Sequence, residues 1–215
     1  MFKALLKKEC VELAAPFLLA VVSFVVLVGD HVATARRRTL PQGDWMLDED
    51  FVYPFLLISL ALAVVMGLVQ SLSEDIQGTW RYVLALPGGW RRILRLKFAC
   101  AAAVWLFWAV VAFAICLLGL MADTGPPGES LGRLSEPMFR ILICVPVAYL
   151  GAFLTAIRRV SWFFSRLMPL GGVLMCWCLV LVMPDWWIFA PLATVGLGAV
   201  LVAIVYHVAA SRDFA

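Results

Sequence analysis

The chain has 215 residues, of which 64% are hydrophobic and 14% are charged. Soluble domains are roughly half apolar and a quarter charged, so this composition excludes an ordinary soluble fold and requires much of the surface to face lipid. The net charge of +3 does not indicate nucleic-acid binding, and long unbroken apolar runs favour membrane-spanning helices over a β-barrel. We therefore predict an all-α polytopic membrane protein that forms a single transmembrane domain, residues 1–215.

The predicted elements begin with residues 1–11, where lysines alternate with apolar residues at helical spacing. This pattern predicts a short amphipathic helix that lies on the membrane surface, although a plain charged flank would look similar. Six apolar runs of roughly spanning length follow. They cover residues 12–29, 51–71, 98–121, 138–157, 167–184 and 186–208. The first run also resembles a signal peptide, but it is longer than a usual signal core, so we expect a retained span.

The basic residues predict the orientation of these spans, because Lys and Arg concentrate on the cytoplasmic side. With the N-terminus inside, the cytoplasmic segments carry Lys3, Lys7, Lys8, Arg81, Arg91, Arg92, Arg95, Lys97, Arg158, Arg159, Arg166 and Arg212. The outer segments carry Arg36, Arg37, Arg38, Arg133 and Arg140. We therefore predict a cell (cytoplasmic or inner) membrane protein with both termini in the cytoplasm. The Arg36-Arg37-Arg38 run opposes this rule, and we interpret it either as a solvated or salt-bridged loop or as a site for an anionic ligand.

The inner loop between the second and third spans, residues 73–97, has the most informative pattern. Glu74 and Asp75 end the second span, and Gly78 permits a turn before a short apolar segment. Pro87 ends that segment, because proline cannot continue a helix, and a basic amphipathic stretch then leads to Lys97 at the third span. Such a helix between two spans could transmit force from a cytoplasmic partner, or it could be a simple interfacial connector.

This loop resembles that of the membrane subunits of type-2 ABC exporters, a family that includes small cytochrome-c-biogenesis permeases. The resemblance rests on an acidic pair, a glycine, a Leu-x-Leu-Pro turn and following basic residues. The positions that carry it are Glu74, Asp75, Gly78, Thr79, Arg81, Leu84, Leu86, Pro87, Arg91, Arg92 and Lys97. In that family the loop is the coupling helix, which docks on a separate ATP-binding subunit.

The resemblance implies an ATP-driven permease that is not itself an enzyme. The chain has no glycine-rich phosphate-binding motif, so ATP-Mg would bind to a partner ATPase subunit, and this chain would bind no cofactor. A second permease subunit, identical or different, would complete the transport path. Binding of ATP by the partner would then shift the spans between two conformations.

Other function classes find less support in the sequence. His31 and His207 could each ligate haem iron, but a lone histidine near a span end is more often a hydrogen-bonding residue. The six cysteines lack paired CxxC spacing, so a zinc site is not predicted. No charged residue lies in the middle of a predicted span, which argues against an ion-driven transporter. The alternatives are a membrane scaffold subunit, a substrate-capturing subunit of a vitamin uptake system and, last, an intramembrane enzyme.

Overall fold

The computed structural model describes six helical segments, at residues 2–38, 49–76, 89–122, 128–157, 167–175 and 189–211. They are α1 (Phe2–Arg38), α2 (Glu49–Ile76), α3 (Gly89–Ala122), α4 (Gly128–Ile157), α5 (167–175) and α6 (Phe189–Ser211). All described secondary structure is helical, which confirms the predicted fold class at this level.

Four helices among the described residues are long and apolar enough to cross a membrane. They are Leu6–Thr34 in α1, Phe51–Ser73 in α2, Trp90–Leu118 in α3 and Leu192–Ala210 in α6. They correspond to the first, second, third and sixth predicted spans. The described part of the chain thus supports a polytopic helical membrane protein with four candidate spans, fewer than the six predicted.

The fourth predicted span falls on α4, whose apolar part Ile141–Ile157 is shorter than the other four. Its N-terminal half carries Glu129, Arg133, Glu136 and Arg140, which shortens the apolar run. Most of Ile141–Ile157 is buried, because α2 and α6 pack on it extensively and α3 touches it. Helix α4 is therefore the central helix of the bundle. The fifth predicted span, 167–184, is described only as far as residue 175.

The N-terminal helix differs from the prediction, because α1 runs without a break from Phe2 to Arg38. The predicted surface helix 1–11 and the first span are one helix, and the side chain of Glu9 is fully buried against the bundle. The described helix therefore shows no break at residue 11 that would separate a surface helix from a span. The same continuity places Arg36, Arg37 and Arg38 in the last helical turn instead of a loop.

An aromatic cluster fills the contact between α1, α2 and α3. The ring of Phe24 in α1 lies 5.0 Å from that of Phe55 and 5.6 Å from that of Trp108, measured between centroids. The Trp108 indole N–H donates to the Ser59 hydroxyl at 3.2 Å, so its polar atom is satisfied inside the apolar core. Such aromatic pairs add to the free energy of area burial. This cluster fixes the packing of α1 and α3 against α2.

Candidate functional site

Four polar side chains, one from each of the first four helices, meet inside the bundle. The Glu9 carboxylate accepts a hydrogen bond from the Gln70 amide at 2.8 Å and pairs with the Lys97 ammonium through its other oxygen. Lys97 also donates to the backbone carbonyl of Gln70 at 3.1 Å. The Tyr149 hydroxyl donates to the Gln70 side-chain oxygen at 2.6 Å. We call Glu9, Gln70, Lys97 and Tyr149 the polar junction.

The polar junction is shielded from its surroundings. Glu9, Gln70 and Lys97 are fully buried and Tyr149 is 6% exposed. An isolated charge in such a place costs many kcal/mol, whereas a charge that is paired and hydrogen-bonded is tolerated. Because each member contacts at least one other, α1, α2, α3 and α4 are held to one another at this level.

The polar junction lies at the end of the bundle where α2 ends and α3 begins. Gln70 is near the end of the candidate span Phe51–Ser73, and Lys97 is near the start of Trp90–Leu118. Glu9 is near the start of Leu6–Thr34, at the N-terminal end of α1. The last turns of α2 and the first turns of α3 are therefore both joined to the N-terminal part of α1.

A second set of contacts, which is more exposed, also joins α1 to α2. The Ser73 hydroxyl donates to the Glu12 carboxylate at 3.1 Å, and the Lys8 ammonium lies 3.7 Å from the other Glu12 oxygen. Glu9 and Glu12 are three residues apart, so they lie on the same face of α1. This face turns two carboxylates toward the last turns of α2.

A close approach of two backbones sets the distance between Gln70 and Tyr149. A Cβ atom placed on Gly67 would lie 2.5 Å from the Tyr149 carbonyl oxygen and 2.8 Å from the Phe153 nitrogen. Only glycine fits this crossing of α2 and α4, since real Cβ atoms essentially never come so close. Gly67 lies one turn before Gln70, so the close crossing brings the Gln70 side chain within reach of the tyrosine hydroxyl.

Apart from Lys97, the residues predicted for docking fall into three groups. Glu74 and Asp75 are in the last turn of α2. Gly78, Thr79, Arg81, Leu84, Leu86 and Pro87 lie outside the described residues, so the predicted coupling segment stays a prediction. Arg91 and Arg92 are exposed in the first turns of α3, and the Arg91 guanidinium stacks 5.2 Å from the centroid of the Trp90 ring.

Lys97 differs from the other predicted docking residues, because its side chain is fully buried in the polar junction. A buried ammonium paired with Glu9 does not reach a surface where a partner chain would bind. Its three companions in the polar junction, Glu9, Gln70 and Tyr149, were not among the predicted site residues. The available signal was local: Lys97 comes directly before an apolar run, and Glu9 lies among apolar residues of the first helix.

An apolar cavity of about 220 Å³ lies beside the polar junction, between α2, α3, α4 and α6. The residues around it include Met66, Phe98, Trp105, Tyr149 and Val202. The Trp105 indole N–H donates to the Leu142 carbonyl at 2.9 Å, which holds this ring between α3 and α4. The cavity offers apolar surface with a single hydroxyl residue at its wall, which suits an apolar or amphipathic molecule.

The structure places the two histidines near the ends of different helices. The His31 Nδ1 lies 2.9 Å from the Leu27 carbonyl oxygen, and its ring contacts Phe51 edge-on at 5.5 Å between centroids. These contacts fit a structural histidine. His207 in α6 is exposed. Within the described residues, no group of three or more His, Cys, Asp or Glu side chains is arranged to hold a metal ion.

Comparison with known proteins adds no family assignment. No protein-family model, no curated protein and no solved structure matches the chain. The functional interpretation therefore rests on the sequence pattern and on the geometry of the polar junction.

Proposed function

We propose that this chain is the membrane-spanning permease subunit of an ATP-driven ABC exporter. A separate ATP-binding subunit would carry ATP-Mg, and a second permease subunit would complete the path. The chain itself would couple ATP hydrolysis to translocation without catalysing a reaction. It would sit in the cell membrane with both termini in the cytoplasm, as the distribution of basic residues predicts.

The polar junction is the observation that supports this proposal most strongly. A loop that transmits force must be joined to the helices that move, and the two helices that flank residues 77–88 are joined in this way. Gln70 near the end of α2 and Lys97 near the start of α3 both bind Glu9 of α1. Tyr149 extends the connection to the central helix α4. A displacement of the loop would thus move four helices together.

This geometry changes the role that we assign to Lys97. The sequence resemblance grouped it with residues that contact the ATP-binding subunit, but its ammonium is buried. We assign it instead to the base of the coupling loop, where it transmits movement from the loop to α1. Docking is assigned to the predicted loop residues before it, including the exposed Arg91.

The substrate class follows from the apolar character of the bundle interior. The cavity between α2, α3, α4 and α6 is lined almost entirely by apolar atoms. The free energy needed to desolvate a strongly polar substrate there would exceed the free energy gained from the few hydrogen bonds that the cavity offers. We therefore expect a hydrophobic or amphipathic substrate.

The proposal is tested by purifying the tagged chain from membranes of its own cell in a mild detergent. We expect a chain with a phosphate-binding loop to co-purify and to hydrolyse ATP. Leu86→Asp places a charge in the predicted docking segment and should abolish both the co-purification and the ATP hydrolysis. Arg95→Gln is the matched control, because Arg95 is exposed near the same loop but is outside the predicted docking set.

Two outcomes would contradict the permease assignment. One is a stable purified complex that contains no nucleotide-binding chain, which would favour the scaffold alternative. The other is an ATPase partner whose binding and turnover are unchanged by Leu86→Asp, since the 73–97 loop would then not be the docking element.

A further inference from the structure

A groove of about 430 Å³ runs along the outside of the bundle between α1 and α3. Its lining is apolar and includes the small residues Cys10, Ala14, Ala99 and Ala103. Small side chains on two neighbouring helices leave a concave surface where larger ones would fill the gap. Both helices are candidate spans here, so the groove opens toward the lipid acyl chains.

The contacts between α1 and α3 show which end of the groove lies deeper in the membrane. Glu9 pairs with Lys97, and farther along Phe17 lies 5.3 Å from Phe107, measured between ring centroids. Residue numbers thus increase together on the two helices, which run parallel. Phe17 and Phe107 also line the groove, so this ring pair closes the end that lies deeper in the membrane.

Basic side chains stand at the opposite end of the groove. Lys7 is three residues before Cys10 in α1, and Arg92 is seven residues before Ala99 in α3. At about 100° per residue, both lie on the edges of the groove, one on each helix. Both side chains are exposed, and both lie at the end of a candidate span, where lipid headgroups are found.

We propose that this groove binds one anionic phospholipid from the leaflet on the N-terminal side of the protein. An acyl chain would fill the apolar groove as far as the Phe17–Phe107 pair. The lipid phosphate would lie between Lys7 and Arg92. A concave apolar surface in a bilayer must be filled, because an empty groove loses dispersion contacts and water finds no polar partners there. Lysine and arginine pairs at this depth favour an anionic over a zwitterionic headgroup.

The groove uses the outer face of α1 and α3 and not the interior of the bundle, and Arg92 is shared with the predicted docking set, so lipid retention is measured on the chain without an ATP-binding subunit. The proposal is tested on the full chain purified in detergent, with native mass spectrometry as the readout. The probes are palmitoyl-oleoyl phosphatidylglycerol and palmitoyl-oleoyl phosphatidylcholine at equal concentration. We expect the wild-type protein to retain one phosphatidylglycerol in preference to phosphatidylcholine.

Variants of the basic residues test the headgroup contact. Each basic residue near an anionic surface contributes about a fivefold preference at low salt, so Arg92→Gln should weaken phosphatidylglycerol retention roughly fivefold. The double variant Lys7→Gln/Arg92→Gln should weaken it roughly 30-fold. Arg91→Gln removes the same charge from the same helix at about 80° outside the arc of groove residues, where its guanidinium stacks on the Trp90 ring, and should retain lipid as the wild type does.

Filling the groove tests the acyl-chain contact. Ala103→Phe places a ring in the groove, and we expect it to reduce retention of both lipids. Ala114→Phe is the control, because Ala114 is also exposed on α3 but does not line the groove. Equal retention of both lipids by the wild type would overturn the proposal. A wild-type dimer that Ala103→Phe dissociates, with lipid retention unchanged, would overturn it too, since the groove would then hold a second copy.

Discussion

Replacing Lys97 by methionine removes the cation of the polar junction while keeping an unbranched side chain of similar length. The Glu9 carboxylate would remain fully buried with a hydrogen bond from Gln70 but without its ammonium partner. Removing one partner of a buried ion pair costs about 3–5 kcal/mol, because the remaining charge is desolvated and uncompensated. For a chain of this size each kcal/mol lowers the melting temperature by about 2–4 °C. We therefore expect Lys97→Met to lower it by roughly 6–20 °C.

The assay is thermal unfolding of the purified protein in detergent, followed by fluorescence-detected size-exclusion chromatography. Glu9→Gln/Lys97→Met is the informative second variant. It removes both charges and keeps an amide oxygen to accept from Gln70, so most of the lost stability should return. Arg95→Met is the control, since it removes an exposed charge from the same helix. The buried Glu9–Lys97 pair would be contradicted if Lys97→Met lowered the melting temperature no more than Arg95→Met did. It would also be contradicted if the double variant were less stable than Lys97→Met.

Two further variants test the crossing of α2 and α4 and the hydrogen bond beside it, by the same thermal assay. Gly67→Ala should destabilise the protein by about 1–3 kcal/mol, because its Cβ would overlap the α4 backbone, whereas the exposed Gly29→Ala, with open space around it, should be neutral or slightly stabilising. Equal effects at the two glycines would refute the close crossing. Tyr149→Phe should cost about 1–3 kcal/mol, since the Gln70 side-chain oxygen loses its buried donor, while Tyr53→Phe at an exposed position should cost little. A Tyr149→Phe protein as stable as Tyr53→Phe would contradict the hydrogen bond.

The helical membrane character was predictable from sequence because it depends on composition and run length, which are local properties. The candidate spans Phe51–Ser73 and Leu192–Ala210 overlap the predicted spans 51–71 and 186–208. The burial of α4 at the centre of the bundle could not be predicted in the same way. Whether an apolar helix faces lipid or the centre of a bundle depends on its neighbours, and the apolar run of α4 gives no sign of which applies.

The polar junction could not be predicted, because its members are far apart in the chain. Gln70 lies 61 residues from Glu9, and Tyr149 lies 79 residues from Gln70. Helical spacing indicates that Glu9 shares a face with Glu12, but it does not indicate whether that face meets water or another helix. The alternation of lysines and apolar residues over residues 1–11 predicted a separate surface helix, whereas α1 continues through residue 11 without a break. The function of the 73–97 loop stays a prediction, since its middle lies outside the described residues.

Photo-crosslinking from position 86 tests the central claim most directly. A photoreactive phenylalanine analogue would replace Leu86 in the full chain within its own cell membrane, with the same analogue at Leu118, near the other end of α3, as the control position. The proposed coupling role predicts an adduct between position 86 and a chain that binds ATP, and no such adduct from position 118. Adducts from position 86 that contain no nucleotide-binding chain, while that position is accessible from the cytoplasm, would contradict it.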